Sequence, residues 1–332
     1  MAKKSDNRFI LALKIFWEGI TIYCNHMFTF LKYMSFPVIG MLIGLILIFT
    51  VNYFFVVNVP SLIKQYPILD NIPLVFLLLL ICVFPGFLVF CKAFFDYILA
   101  FASLNSMIFV ARGGKMKNKP IETHAHDDVL KKRLGKYCIF LLMLAGLSLV
   151  GSFPLLLIPF GVVCIYLCLV FQVFMLEENV SPVQVFGRSF HLVKGNFAMT
   201  SFLLGLSFLL TYILIPSLFV FIFEKANLLQ YIALPIQKYL NILPIEELSD
   251  NLTQYMMQSV PNSALTLDLD VASLFDTEKY AISISSMLIS LCVIEFLLPM
   301  RSAWFTLLYK LFDEEKTRSE EHTSELQSQF RI

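Results

Sequence analysis

The sequence predicts an all-α fold: a polytopic membrane helix bundle of about six transmembrane helices with interfacial elbow helices. Three observations carry this. The 332 residues are 58% hydrophobic and 15% charged, against roughly 45–50% and about 25% in an ordinary globular domain. Uncharged runs near 20 residues recur along the chain, the length of helix that crosses a hydrocarbon core of about 30 Å. Between them stand shorter segments with one apolar and one charged face, which suit an interface rather than a crossing. A membrane β-barrel instead needs short segments of alternating hydrophobicity. The net charge of +1 gives no reason to expect a nucleic-acid partner.

Taken in order, the first element is an interfacial helix over 7–30, capped by Asp6 or Asn7. Lys14, Glu18, Thr21 and Asn25 make a polar stripe along it. The first span follows at about 37–57, with Ser35 as its cap and Pro37 early in the helix, where the missing N–H costs nothing. The second covers about 73–92. Apolar residues then continue to about Val110, interrupted by Lys92, Asp96, Asn105 and Ser106. Forty residues of helix measure about 60 Å, twice the bilayer core. The segment therefore either breaks at Pro85–Gly86 or runs on along the cytoplasmic interface. Spans three and four (137–153 and 158–176) form an uncharged hairpin that turns among Gly151, Pro154, Pro159 and Gly161. The fifth covers 198–223, with a kink expected at Pro216. A loop over 224–280 precedes the sixth at 281–300, and helix is expected to continue through RSAWFTLLYKLF.

The stretch SPVQVFGRSFHLVKGNFAM, Ser181 to Met199, separates spans four and five. Ser181 is a predicted N-cap, Pro182 the first helical residue, and Gln184 completes a capping box; Gly195 closes the far end. About fourteen residues are too few to cross. Gln184, Gly187, Arg188, His191 and Lys194 share one arc, and Val183, Val185, Phe186, Phe190, Leu192 and Val193 the other. The segment reads as an elbow lying flat, its apolar face toward acyl chains and its basic face toward water or anionic headgroups.

Lysine and arginine set the orientation. Outside the spans and the last fifteen residues, 18 fall on the side holding the N-terminus, the 111–136 loop, the elbow and the segment after 300. Only Lys64, Lys225, Lys238 and Lys279 fall opposite. The positive-inside rule then puts both termini in the cytoplasm and 224–280 outside. NLLQYIALPIQKYLNIL within that loop is amphipathic and is expected at the outer interface. All seven cysteines fall in or beside apolar stretches and read as small buried hydrophobes. RSEEHTSELQS, Arg318 to Ser328, looks like a translated sequencing adapter. Residues 318–332 are therefore set aside, leaving 1–317 as a single integral membrane domain.

The segment FMLEENVSP followed by VQVFGRSFHLVKGNF and a long span resembles the bacterial membrane-domain family that accompanies some glycerophosphoryl diester phosphodiesterases. The features that carry it are Glu177 after a span, Arg188-Ser189-Phe190, Lys194-Gly195, and Phe197 opening the next span. About 45 residues match well and the rest only in layout. The catalytic domain and its metal-binding motifs are absent. The resemblance thus implies a stand-alone membrane module rather than that hydrolase activity.

Candidate chemistry is sparse. THAHDD places His124, His126, Asp127 and Asp128 together, a weak candidate for a divalent metal, for which a solvated linker is the better reading. Glu295 lies inside span six, and Lys92 and Asp96 stand one turn apart near the cytoplasmic interface. Ionisable groups at such depth are costly and draw attention as elements of a polar pathway. Arg188, His191, Lys194 and Lys14 are the candidate headgroup contacts. No P-loop, dinucleotide fingerprint, zinc-protease helix or nucleophile elbow is visible, and no cofactor is expected. The reading is a non-catalytic protein of the bacterial cytoplasmic membrane whose partners are lipids or an envelope protein. The alternative is a small transporter or lipid-translocating protein using Glu295, Lys92 and Asp96. Cysteines introduced between 111 and 136 should react with a membrane-impermeant maleimide only after cells are opened; reaction in intact cells would invert the topology.

Overall fold

The structure is a computed structural model that describes residues 2–69, 71–111, 132–151, 153, 156–177, 180–242 and 276–329. Among these it is helical, with turns and no strand. The helices are α1 (Ala2–Asn25), α2 (Met27–Gln65), α3 (Ile72–Ala111), α4 (Leu134–Gly151), α5 (Leu157–Tyr166), α6 (Val170–Leu176), α7 (Pro182–Val193), α8 (Phe197–Phe208), α9 (Ile215–Lys225), α10 (Leu228–Leu240), α11 (Thr277–Phe296) and α12 (Leu298–Gln329). Six helical stretches are long and apolar enough to cross a membrane: Met27–Val59, Pro73–Leu104, Leu134–Gly151, Ile158–Leu176, Phe197–Lys225 and Thr277–Arg318.

Several expected boundaries move. α1 starts at Ala2, so Asp6 and Asn7 lie inside it rather than capping it. Ser35 is likewise internal to α2, where its hydroxyl donates to the Lys32 carbonyl at 2.8 Å. Pro85 does not break α3, which runs unbroken for 40 residues. The breaks fall elsewhere. Leu167–Leu169 form a turn between α5 and α6. A π-helical turn at Leu209–Leu214 precedes Pro216. Proline has no N–H for the Tyr212 carbonyl, and a wider turn is a recognised way to absorb that loss. α11 and α12 part at Leu297, two residues before Pro299, for the same reason. Five of the seven cysteines, Cys24, Cys82, Cys91, Cys138 and Cys164, are exposed on helix surfaces instead of buried. Hydrocarbon is as apolar as a protein core, so an outward thiol there loses nothing by it. α12 continues to Gln329, through the adapter-like segment.

The chain divides into two compact units. The first comprises Met1–Ile39, Ala93–Thr211 and Glu295–Ile332. Its α1 packs on α12 through Trp304, which is fully buried, stacks on Phe16 at 5.0 Å and donates its indole N–H to the Phe16 carbonyl at 2.8 Å. Gly19 makes the approach possible: a Cβ there overlaps the indole ring. A second aromatic cluster joins α4 to α6, with Phe140 stacked on Phe174 at 5.1 Å and Tyr137 beside Phe174 at 5.3 Å. Trimming such a ring to alanine costs about 3–5 kcal/mol.

The second unit comprises Gly40–Lys92 and Tyr212–Ile294. Here α2 and α3 touch backbone to backbone. A Cβ on Gly44 meets Phe90 Cα at 2.7 Å, and one on Gly86 meets Ile48 N at 3.0 Å. Residue 44 faces 90 while 48 faces 86, so the two helices run antiparallel. Small residues drive such contacts in lipid, where apolar surface alone gives no reason to associate. Asn52 donates to the Tyr239 hydroxyl at 2.8 Å, tying α2 to α10. Gly44→Leu should lower the melting temperature in detergent by several degrees, an overpacking cost of about 1–3 kcal/mol. Gly146→Ala, which meets nothing within 4 Å, should leave it unchanged or raise it.

Candidate functional site

The elbow is built locally as its sequence dictates. The Ser181 side chain accepts from the Gln184 amide at 3.4 Å, and the Gln184 side chain accepts from the Ser181 amide at 3.0 Å. Gly195 turns the chain out of α7 with φ +92°, a conformation open to glycine at no steric cost. The buried face of α7 is Val185, Ser189, Leu192 and Val193. It packs against protein, on α4, α5, α6 and α12, and not against acyl chains as its amphipathicity suggests. Only Val183 and Phe190 of the apolar arc stay outward. On that face the Ser189 hydroxyl donates to the Tyr166 carbonyl at 2.9 Å, at the end of α5.

Arg188 stands at the centre of an ionic cluster. Its Nε donates to Glu177 Oε1 at 3.1 Å and its Nη2 to Asp313 Oδ1 at 2.7 Å. The Tyr309 hydroxyl donates to the same Glu177 oxygen at 3.0 Å. Glu177 sits in extended backbone just past α6, Arg188 on α7, and Tyr309 and Asp313 on α12. The three charged side chains are 22–37% exposed. Partial burial favours the neutral arginine, but the hydrogen bond to Glu177 and the charges of Glu177 and Asp313 outweigh it. The guanidinium is held above its ordinary range. Nearby, Arg133 donates to the carbonyls of Phe174 and Glu177 at 2.9 and 3.1 Å and covers the Phe174 ring at 4.9 Å. Lys316 donates to the His191 carbonyl at 2.7 Å.

The predicted residues thus divide. Arg188 pairs with the carboxylates of Glu177 and Asp313. His191 and Lys194 are exposed at the end of α7. Lys14 is exposed on α1 and lines an open groove of about 350 Å³ with Glu18, Lys310 and Glu314. Lys92 and Asp96 stand one turn apart on α3. One carboxylate oxygen of Glu295, Oε2, is enclosed and without a hydrogen-bond partner. His124, His126, Asp127 and Asp128 lie outside the described residues. Among the described residues, no group of three or more His, Cys, Asp or Glu could hold a metal ion. Tyr309, Asp313 and Arg133 were not singled out from sequence. A signal for two of them existed: Ser302, Thr306, Tyr309 and Asp313 recur at spacings of four, three and four, one polar stripe along an apolar helix.

No family model matches the chain, and neither a curated protein nor a solved structure matches it.

Arg188→Ala leaves two carboxylates facing each other without their counter-charge. It should destabilise by about 1–3 kcal/mol in thermal unfolding. Arg188→Ala and Asp313→Ala together should cost less than the two singles added, because both remove one interaction. Strict additivity would mean that the pair contributes nothing.

Proposed function

We propose that the protein is a non-catalytic integral protein of the bacterial cytoplasmic membrane, with both termini cytoplasmic, that engages lipid headgroups or an envelope partner through its basic inner elements. On this reading it is a stand-alone relative of the membrane-domain family that its elbow resembles. The observation that carries it is the division of labour on α7. Arg188 is committed to Glu177 and Asp313, while His191 in the last turn of the same capped helix and Lys194 just past it stay exposed. Lys14 adds a further exposed basic side chain on α1. A basic side chain near an anionic surface contributes about 1 kcal/mol.

A second reading, a transporter or lipid-translocating protein, draws on Glu295. An enclosed carboxylate oxygen with no donor sits in the helix that leads to Arg301, Ser302 and Thr306, all buried. Lys92 and Asp96 would then belong to the same polar pathway.

Native mass spectrometry of the chain released from mixed-lipid nanodiscs separates the two. Lys14→Glu with Lys194→Glu should reduce retained anionic phospholipid about tenfold or more without lowering the melting temperature. Unchanged retention counts against the headgroup reading. Proton or lipid flux in proteoliposomes that Glu295→Gln abolishes would favour transport instead.

A further inference from the structure

The α1 helix carries two apolar faces. Ala12, Ile15, Phe16 and Tyr23 are buried, and Phe16 stacks on Trp304 of α12. On the other side stand Ile10, Leu13 and Trp17, which are 65%, 42% and 65% exposed. Spaced three and four residues apart, they form one row. Lys14 and Glu18 fall on the edge between the two faces, where they line the groove with Lys310 and Glu314. The polar stripe is visible in the sequence; the structure adds that protein covers one apolar face and leaves the second open. An open apolar row of this kind marks an interaction surface.

The position of α1 says what covers that row. Its last turn leads through a single residue, His26, into the stretch Met27–Val59, long and apolar enough to cross a membrane. Near its start, Phe9 meets Phe202 edge-on at 5.4 Å. Arg8 and Phe9 line a cleft with Gly195, Asn196 and Ala198, where the stretch Phe197–Lys225 begins. These are the first and fifth of six such stretches. Crossings of odd order run in the same sense, so both begin on one face of the membrane. About 24 Å of helix separates Phe9 from Asn25, and it is tied to that face at both ends. The open row also continues past the turn: Phe28, in the first turn of α2, is 83% exposed.

We propose that α1 lies in the membrane plane, with the Ile10, Leu13 and Trp17 row sunk about 5–10 Å into the boundary between headgroups and acyl chains. The bilayer is the occupant of the open face. Packing on α12 holds the helix at that level from the other side, and the edge with Lys14 and Glu18 meets water. Trp17 is the depth anchor, since an indole ring suits the apolar side of this boundary and its N–H the polar side. The proposal stands apart from the headgroup reading, which uses basic side chains and is tested through them.

The chain has two tryptophans. Trp304 is fully buried, so the emission of the parent less that of Trp17→Phe reports Trp17. The full chain is placed in nanodiscs of phosphatidylcholine and phosphatidylglycerol, the phosphatidylcholine brominated either near the glycerol or near the chain end. The Trp17 component should be blue-shifted from an indole in water. It should lose most of its intensity to the glycerol-side bromines, less to the chain-end bromines, and resist aqueous iodide. Ile10→Asp with Leu13→Asp should make it several-fold more sensitive to iodide. The Trp304 emission should stay as in the parent, because the face packed on α12 is untouched. Iodide quenching of Trp17 in the parent chain without a bromine effect puts the row in water and overturns the proposal. Protection from both quenchers overturns it in favour of a second copy of the chain on the row. Unchanged iodide protection in the double variant overturns it as well.

Discussion

Hydrocarbon offers no hydrogen bonds, so every backbone carbonyl released at a helix end or break must find a donor within the protein. The first unit answers this demand repeatedly and by one device. Ser189 donates to Tyr166 at the end of α5, and Arg133 to Phe174 and Glu177 at the end of α6. Lys316 donates to His191 in the last turn of α7. Where Pro299 interrupts the final span, the Tyr23 hydroxyl donates to Phe296 at 3.2 Å. Each donor comes from a distant part of the chain. Satisfying the backbone and joining the helices are therefore the same act.

This explains the composition of the interior. Ser103, Gln172, Ser189, Asn196, Thr200, Arg301, Ser302 and Thr306 are all buried in a chain of such apolar character, while many large apolar side chains point outward. In water the arrangement would be inverted. In a bilayer, outward leucine and phenylalanine cost nothing, and inward hydroxyls and amides hold helices together. The Arg188 cluster is the charged version. Its carboxylates come from two segments, and the bond to Asp313 at 2.7 Å has the short length of a charge-assisted pair. Together with the Lys316 bond to the His191 carbonyl, it ties the elbow to α12.

Much of the fold was legible because its signals are local. The capping box at Ser181 and Gln184, the closing Gly195 and the six apolar stretches follow from spacing alone. What stayed hidden depends on partners far away in sequence. Nothing near Pro85 says that α3 will continue past it while the span before Pro299 will part. The outward apolar face assigned to α7 failed for the same reason: periodicity gives a face, but not whether lipid or protein lies against it. Arg188 was visible as a basic residue and invisible as the partner of Asp313. The stripe from Ser302 to Asp313 shows only once α12 is known to be one helix.

The Arg188–Asp313 bond closes a loop of 125 residues. At roughly 5–20 residues per second, a ribosome needs about 6–25 s to make that stretch. Glu177, eleven positions from Arg188, is available at once. The nascent elbow thus carries its own neutralising partner while the later helices are still being synthesised. The arrival of α12 then adds the second carboxylate and the Tyr309 hydroxyl to a pair already in place. Insertion of the early helices proceeds without an orphaned arginine at the membrane edge, and the last helix acts as a latch on a hinge set earlier.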